Sequence, residues 1–339
     1  MSGFLFTRRQ FSLGLAAAGM VALGSRRALA ADFELRQFHN QPADSPLHQR
    51  LVEMWAAVNR ETGGRVRVQT FAENNQLPGG DPAAFKMIIS GELDFFTLNG
   101  GTIGSVVPAM NVQGIPFSFR TPSQVYKAMD GDLGTYLQKE MRDKGIYGVT
   151  GGCFTNGLHQ ITCAIRPIRT ADDLQGLKMR APDAPIYVEA WKALGCTPVA
   201  TNINKLYETL KTGAADAQGD PLSIIESLKL YEVQKYCSIT NHLWTGFNLL
   251  ANLKLWERLP ADVQRVIERN ARKYVGLQRA DNDSLNAGLR PRLESQGMIF
   301  NEPETSSFRG RLGSFYARWR ETVGQQTWSL LEAQVGKLG

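Results

Sequence analysis

The residues best suited to hold a ligand fall in one stretch, Gly176 to Pro221. It opens as Gly-Leu-Lys-Met-Arg-Ala-Pro, and Leu177 to Arg180 reads as a short strand stopped by Pro182. Arg180 therefore stands at a strand end, where an α/β sheet opens its ligand crevice. A guanidinium offers fixed donors in a fork that matches a carboxylate, and it stays charged at any working pH. The stretch closes as Lys-Thr-Gly-Ala-Ala-Asp-Ala-Gln-Gly-Asp-Pro, with Asp220 directly before Pro221. An ionised carboxylate only accepts hydrogen bonds, so Asp220 suits a ligand hydroxyl or amine, or offsets the charge of Arg180. His159, in Gly157-Leu158-His159-Gln160, is a pH-dependent donor whose unperturbed pKa is about 6.5.

Other chemistries lack their residues. The histidines His39, His48, His159 and His242 have no metal-like spacing, and Cys153, Cys163, Cys196 and Cys237 form no Cys-x-x-Cys. There is no Gly-x-Ser-x-Gly, no Walker sequence and no Rossmann glycine fingerprint. The expectation is a binding protein with no cofactor and no metal, not an enzyme. The competing class is an exported enzyme acting on a carboxylic acid, which a stoichiometric colour, flavin fluorescence or bound metal would reveal. Cys196 and Cys237 read as buried small hydrophobes, and one or two disulfides are open to the four thiols.

These side chains need elements to position them. Glu34 to Phe38 alternates as a strand, Ser45-Pro46 starts a helix that Gly63-Gly64 ends, and Arg65 to Phe71 is the next strand. A helix up to Gly91 and a strand over Leu93–Leu98 follow, a series that predicts a parallel sheet. Phe85, Gly91 and Asp94 recur in spacing as Tyr207, Gly213 and Asp216, which points to two related α/β lobes with the ligand between them. Asn241 to Asn252 reads as a long apolar strand passing between the lobes. From Pro260 to about Gln296 a helical pattern runs on, which Gly288 and Pro291 would bend or divide. Two packing helices are expected after it. The division is 31–156 plus 246–285 for the first lobe and 157–245 plus 286–339 for the second.

Residues 1–30 have the form of a cleaved leader: Arg8-Arg9-Gln10-Phe11, a weakly apolar run, then Ala28-Leu29-Ala30. The twin arginine points to the Tat route, and export to the periplasm follows. The apolar run is too short to span a bilayer. Removing the leader's four arginines takes the net charge from +6 to +2, so the basic balance argues for neither nucleic acid nor membrane insertion.

The Arg180 segment, together with Tyr207-Glu208-Thr209-Leu210, Gly213, Asp216 and Gly219-Asp220-Pro221, resembles the substrate-binding subunit of tripartite ATP-independent periplasmic (TRAP) transporters. The likeness extends over essentially the whole chain after the leader. It implies a two-lobed α/β periplasmic binding protein fold with a hinge, interlobe strands and a long lobe-spanning helix. It also implies that Arg180 clamps the substrate carboxylate. Asp220 stands where many members carry Asn, His159 where several show the Arg of Gly-x-Arg-Gln, and Ile203 where sialic acid binders place an aromatic. Weaker candidates come from lobe-facing positions: His39 and Asn40, Asp81, Asn99 and Trp244. The expected ligand is a monocarboxylate, either aromatic or a small 2-oxo or 2-hydroxy acid, with dicarboxylates and sugar acids as alternatives. Expected partners are the small and large membrane subunits of an ion-gradient-driven permease; a sensory partner is a third possibility.

Overall fold

A computed structural model describes residues 31–75 and 77–338; the expected leader, residues 1–30, lies outside the described residues. Its strands are β1 (Phe33–His39), β2 (Val66–Phe71), β3 (Phe95–Asn99), β4 (Ile146–Cys163), β5 (Lys178–Ala181), β6 (Thr197–Ala200), β7 (Ala217–Asp220), β8 (Tyr236–Asn252) and β9 (Ile299–Asn301). They join in the order β2-β1-β3-β8-β4-β7-β5-β6, with β9 on β8. Strands β2, β1 and β3 are parallel at one end, as are β7, β5 and β6 at the other. Between them β4 and β8 run antiparallel and extend through both halves. The sheet is thus mixed rather than purely parallel, because two long strands, not helical crossovers, join its halves.

Local signals explain the flanking units. Ser45 caps the Pro46–Glu61 helix by accepting from the His48 amide, and Pro46 takes the first position, which needs no amide donor. That helix buries Leu47, Leu51, Met54, Trp55 and Val58 against Phe95 and the long C-terminal helix. The internal echo is structural. Asp94 accepts from the Arg36 amide at 2.9 Å, and Asp216 accepts from the Lys178 amide at 2.9 Å. Gly91 (φ 89°) and Gly213 (φ 70°) take the left-handed conformation that ends each preceding helix. The same carboxylate therefore latches the same loop to the first strand of each unit.

The long helix runs unbroken over Ala261–Ser295, 35 residues, with Pro291 inside its last turns. Gly288 and Pro291 do not divide it, since one missing amide costs a single hydrogen bond near the end of a helix packed through Leu289 and Leu293. It binds the sheet through polar groups as well. The Gln278 amide donates to the Thr155 carbonyl at 2.8 Å and accepts from the Thr155 N–H at 2.9 Å. Arg279 grips Asp130 at 2.6 and 2.9 Å, donates to the Cys153 carbonyl and covers the Tyr126 ring. At Thr155 the β4–β8 register shifts, and Gly157 (φ 108°) adopts a conformation that a side chain would strain.

Three helices, not two, close the chain: Ser306–Arg311, Gly313–Val323 and Gln325–Val335. The last packs on the Pro122–Asp130 and Asp132–Arg142 helices, and Tyr316 donates to the Pro116 carbonyl at 2.9 Å. The last helix thus lies against residues 122–142, while Gly313–Val323 packs on both Pro108–Gly114 and Pro185–Ala193. Their aromatics, Phe315, Trp319 and Trp328, are core. All four cysteines are free thiols; Cys196 and Cys237 are buried, as expected of small hydrophobes, and so is Cys163. No described helix is long and apolar enough to cross a membrane.

Candidate ligand-binding site

The carboxyl ends of the parallel strands face each other across the middle of the sheet, and a cavity of about 70 Å³ lies there. Its walls come from both halves. Asn40, Asp81, Asn99 and Thr102 line one side, and Arg180, Tyr187, Trp191 and Asp220 the other. His159 of β4 and His242, Leu243, Thr245 and Phe247 of β8 form the floor where the crossing strands pass.

Arg180 is third in β5, and pairing with β6 and β7 fixes its direction. Its Nη2 and Nε donate to the Thr201 carbonyl at 2.8 and 3.2 Å, which orients the guanidinium plane. Nη1 and the second N–H of Nη2 remain, with Nη1 3.4 Å from Asp220 Oδ2. The side chain is only 2% exposed. Burial pushes the guanidinium pKa down, while Asp220 and Asp81 oppose that shift. A guanidinium keeps its proton through such a change. Asp220, last in β7, is equally enclosed, and burial raises its pKa to about 6 against the pull of Arg180. The 3.4 Å approach is long for a charge-assisted contact, so the pair is loosely matched.

Asp81 sits in the first turn of the Gly80–Ser90 helix and accepts from Asn40 Nδ2 at 2.7 Å and Asn74 Nδ2 at 2.8 Å. Burial raises its pKa, and these two amides work the other way. Asn99 caps the short Gly100–Ile103 helix by accepting from the Thr102 amide, and it also accepts from the Tyr187 hydroxyl at 3.1 Å. That cross-cavity bond requires a glycine at 101, where a Cβ would lie 2.5 Å from the Tyr187 ring.

His159 is a satisfied, neutral histidine. A carbonyl can only accept, so its Nδ1–H donates to Gly219 at 3.1 Å and its Nε2 accepts from the Thr245 hydroxyl at 2.9 Å. Burial lowers its pKa to about 4, so it brings no cation to the cavity near neutral pH. Ile203 follows Asn202 at the rim and presents an aliphatic wall.

Two expected residues lie elsewhere. His39 is fully buried behind the cavity: its Nδ1 accepts from the Gln41 amide at 3.2 Å and its Nε2 meets His48 Nδ1 at 2.9 Å. Burial, then the neighbouring His48, takes its pKa down to about 3. Trp244 packs edge-on to Phe119 and donates to Thr155 Oγ1 at 3.0 Å on the other face of β8. The reason is local alternation: Trp244 stands between Leu243 and Thr245, both of which line the cavity, and so points away, whereas His242 follows Asn241, whose φ of 44° interrupts the alternation. Sequence reasoning passed over Tyr187, Trp191, Asn156 and Thr245. Tyr187 and Trp191 are four apart on the helix after Pro185, hence on one face, and that spacing was the available signal.

Among the described residues no cluster of His, Cys, Asp or Glu could hold a metal ion. The acceptors, amides and guanidinium lining the cavity suit it to fix a polar solute.

Comparison with known proteins agrees. A solute-binding protein from Polaromonas sp. JS666, solved with D-erythronate, superposes with a TM-score of 0.83 at 27% identity, covering 89% of this chain and 98% of that one. The 2,3-diketo-L-gulonate-binding periplasmic protein of Escherichia coli K12 is 26% identical over 310 residues, 90% of this chain and 92% of its own. The C4-dicarboxylate-binding periplasmic protein of Rhodobacter capsulatus is 24% identical over 334 residues, 97% and 99% of the two chains. The description "Bacterial extracellular solute-binding protein, family 7" matches residues 38–322. With that match over most of its length, a two-lobed fold shared with TRAP periplasmic receptors and an interlobe cavity built around Arg180, the chain belongs to the bacterial extracellular solute-binding protein family 7.

Proposed function

We propose that this protein captures a small hydroxylated monocarboxylate between its lobes in the periplasm and hands it to an ion-gradient-driven permease with small and large membrane subunits. One observation carries the reading: Arg180 is the single lysine or arginine among the described residues lining the cavity, and two carboxylates stand near it. One guanidinium matches one carboxylate. The second carboxylate of a diacid would lie against Asp81 or Asp220, where like charges repel. The amides of Asn40, Asn99, Asn156 and Asn202 and the hydroxyls of Thr102 and Tyr187 supply donors and acceptors for several ligand hydroxyls. The D-erythronate held by the Polaromonas relative is an acid of this kind. Arg180 would clamp the carboxylate from one lobe while Asn40, Asp81 and Asn99 complete the cage from the other. Binding then shifts the population towards the closed form.

A thermal-shift panel tests this. Lactate, D-erythronate and D-glucuronate are compared with succinate and malate. An acid at a hundred times its dissociation constant adds about 2.7 kcal/mol, a rise of roughly 4 °C in a chain of this size. Stabilisation by monocarboxylates and none by succinate is the expected result. Stabilisation dominated by the diacids overturns the single-carboxylate reading. With the best acid of the panel, Trp244→Phe is expected to keep affinity within about twofold, while the lost bond to Thr155 costs about 1 kcal/mol in a thermal melt.

A further inference from the structure

Two carboxylates compete for one cation in this cavity. Asp81 is well served, with two amide donors at 2.7 and 2.8 Å and a place in the first turn of a helix, all of which favour its charged form. Asp220 is not. It is 5% exposed, lines the cavity, and has one contact, the 3.4 Å approach of Arg180 Nη1. A buried carboxylate with so few donors is an acceptor awaiting a proton or a ligand donor.

The other groups facing Asp220 do not supply a charge. His159 of β4 spends both ring nitrogens on Gly219 and Thr245, and His242 of β8 holds Thr240 at 2.7 Å through Nδ1. Burial keeps both rings neutral near pH 7. Tyr187, from the Pro185–Ala193 helix, is held protonated by burial. Asp183, in the loop after β5, also lines the cavity and adds a further acid. Asp81 and Asp220, when ionised, by themselves already exceed Arg180 by one negative charge before any anion arrives. Besides Nη1, which Asp220 shares, the second N–H of Nη2 is left by the Thr201 carbonyl, so a carboxylate held by the Nη1–Nη2 end of the guanidinium lies next to the Asp220 carboxylate. Two carboxylates in such contact do not both stay ionised.

We infer that the ligand's carboxylate enters the cavity together with one proton, which Asp220 takes from solvent, so that Asp220 donates an O–H···O bond to the ligand carboxylate beside Arg180. This inference rests on the proposed capture of an organic acid and adds the proton. No bond other than O–H changes, and release returns the proton to solvent. Free Asp220 titrates at about 6. Above that pH a proton must be bound with the acid, so affinity falls about tenfold per pH unit; below it affinity is level until the ligand's own carboxylate protonates, near pH 3.5. An asparagine at 220 would need no proton.

The test is isothermal titration of the exported protein with D-erythronate and with lactate, from pH 5.5 to 8.5, in phosphate and in Tris. The heat difference between buffers counts the protons taken up. Expected at pH 7.5 is close to one proton per acid bound, with the dissociation constant rising about tenfold per unit from pH 6.5 to 8.5. Asp220→Asn is expected to bind with no proton uptake, independently of pH, and more tightly than the wild type at pH 8.5. A thermal melt of each protein checks that the variant is folded. Wild-type binding without proton uptake and level across this range overturns the inference. So does tighter binding of β-alanine as pH rises, abolished in Asp220→Asn, which would make ionised Asp220 the receptor of a ligand ammonium. If neither protein binds either acid at any pH, the organic-acid reading itself falls, a result distinct from proton-free binding.

Discussion

Arg180→Ala is expected to abolish the stabilisation that acids give the wild-type protein, through a loss of affinity of a hundredfold or more. Hydrogen bonds to charged groups contribute about 1.5–3 kcal/mol each, and removing one member of a buried charged set costs about 3–5 kcal/mol. The second figure exceeds the roughly 2.7 kcal/mol that corresponds to a hundredfold in binding, and two lost bonds of the first kind reach it. The ligand-free variant suffers as well, since the Thr201 carbonyl loses two donors and Asp220 its sole partner. Asp220, at about 6 already, would then move further up and become neutral, which limits the damage. Arg180→Lys separates charge from geometry: it retains a cation but not the fork, and an intermediate loss of roughly tenfold is expected. Titration calorimetry on both variants, with a thermal melt to verify folding, checks the claim. Wild-type affinity in Arg180→Ala would move the binding site elsewhere.

Gln278→Leu is expected to lower stability by about 2–5 kcal/mol, a large effect for one side-chain amide lost from a 35-residue helix. The reason is what Gln278 pairs. It satisfies both the N–H and the C=O of Thr155, which lies opposite Gly246 of β8 where the register begins to shift, while β7 pairs only with Gln160–Cys163 of β4. Thr155 is 1% exposed and Gln278 2%, so water cannot replace the amide. Each unpaired buried backbone group costs about 1–3 kcal/mol. Urea unfolding gives the value, and hydrogen exchange at the Thr155 amide should quicken selectively. A Gln278→Leu protein as stable as wild type would show that the helix merely rests on this point of the sheet. A similar exchange supports the facing strand: the Gln160 side chain holds Asn241 by 2.7 and 3.0 Å bonds where Asn241 takes a positive φ of 44°. Side-chain amides thus stand in for ladder bonds where β4 and β8 pass between halves, which is where a hinge needs the backbone to bend.

Much of this protein was legible in one dimension. Ser45-Pro46, Gly91, Asp94 and Asp216 act through neighbours a few residues away or through the strand beside them, so their meaning survives without the fold. The expected long helix from Pro260 was legible for the same reason: a 3.6-residue pattern is local. Arg180 and Asp220 were identifiable because strand ends before proline are local features and the sheet crevice always opens there. What failed was whatever depends on facing. Trp244 lies one residue off the cavity because alternation in a strand is local but its phase is set by the core, and β8 could be phased only once Phe119 and Thr155 were known to lie on the other side. His39 was drawn to its neighbour His48 rather than to the ligand side, a choice made by a helix nine residues further on.

The sequence by itself determined the repeating α/β units, the lone guanidinium and the acid placed beside it. Only the tertiary structure decided that β4 and β8 pass antiparallel between the halves, that the last helix packs on residues 122–142, and that His159 is neutral and already bonded. The physical reason is the range of the interactions. Helix periodicity, caps and strand ends are settled over a few residues. Charge state, cavity facing and the pairing of buried polar groups depend on which distant segments exclude water from them, and that is a property of the closed fold.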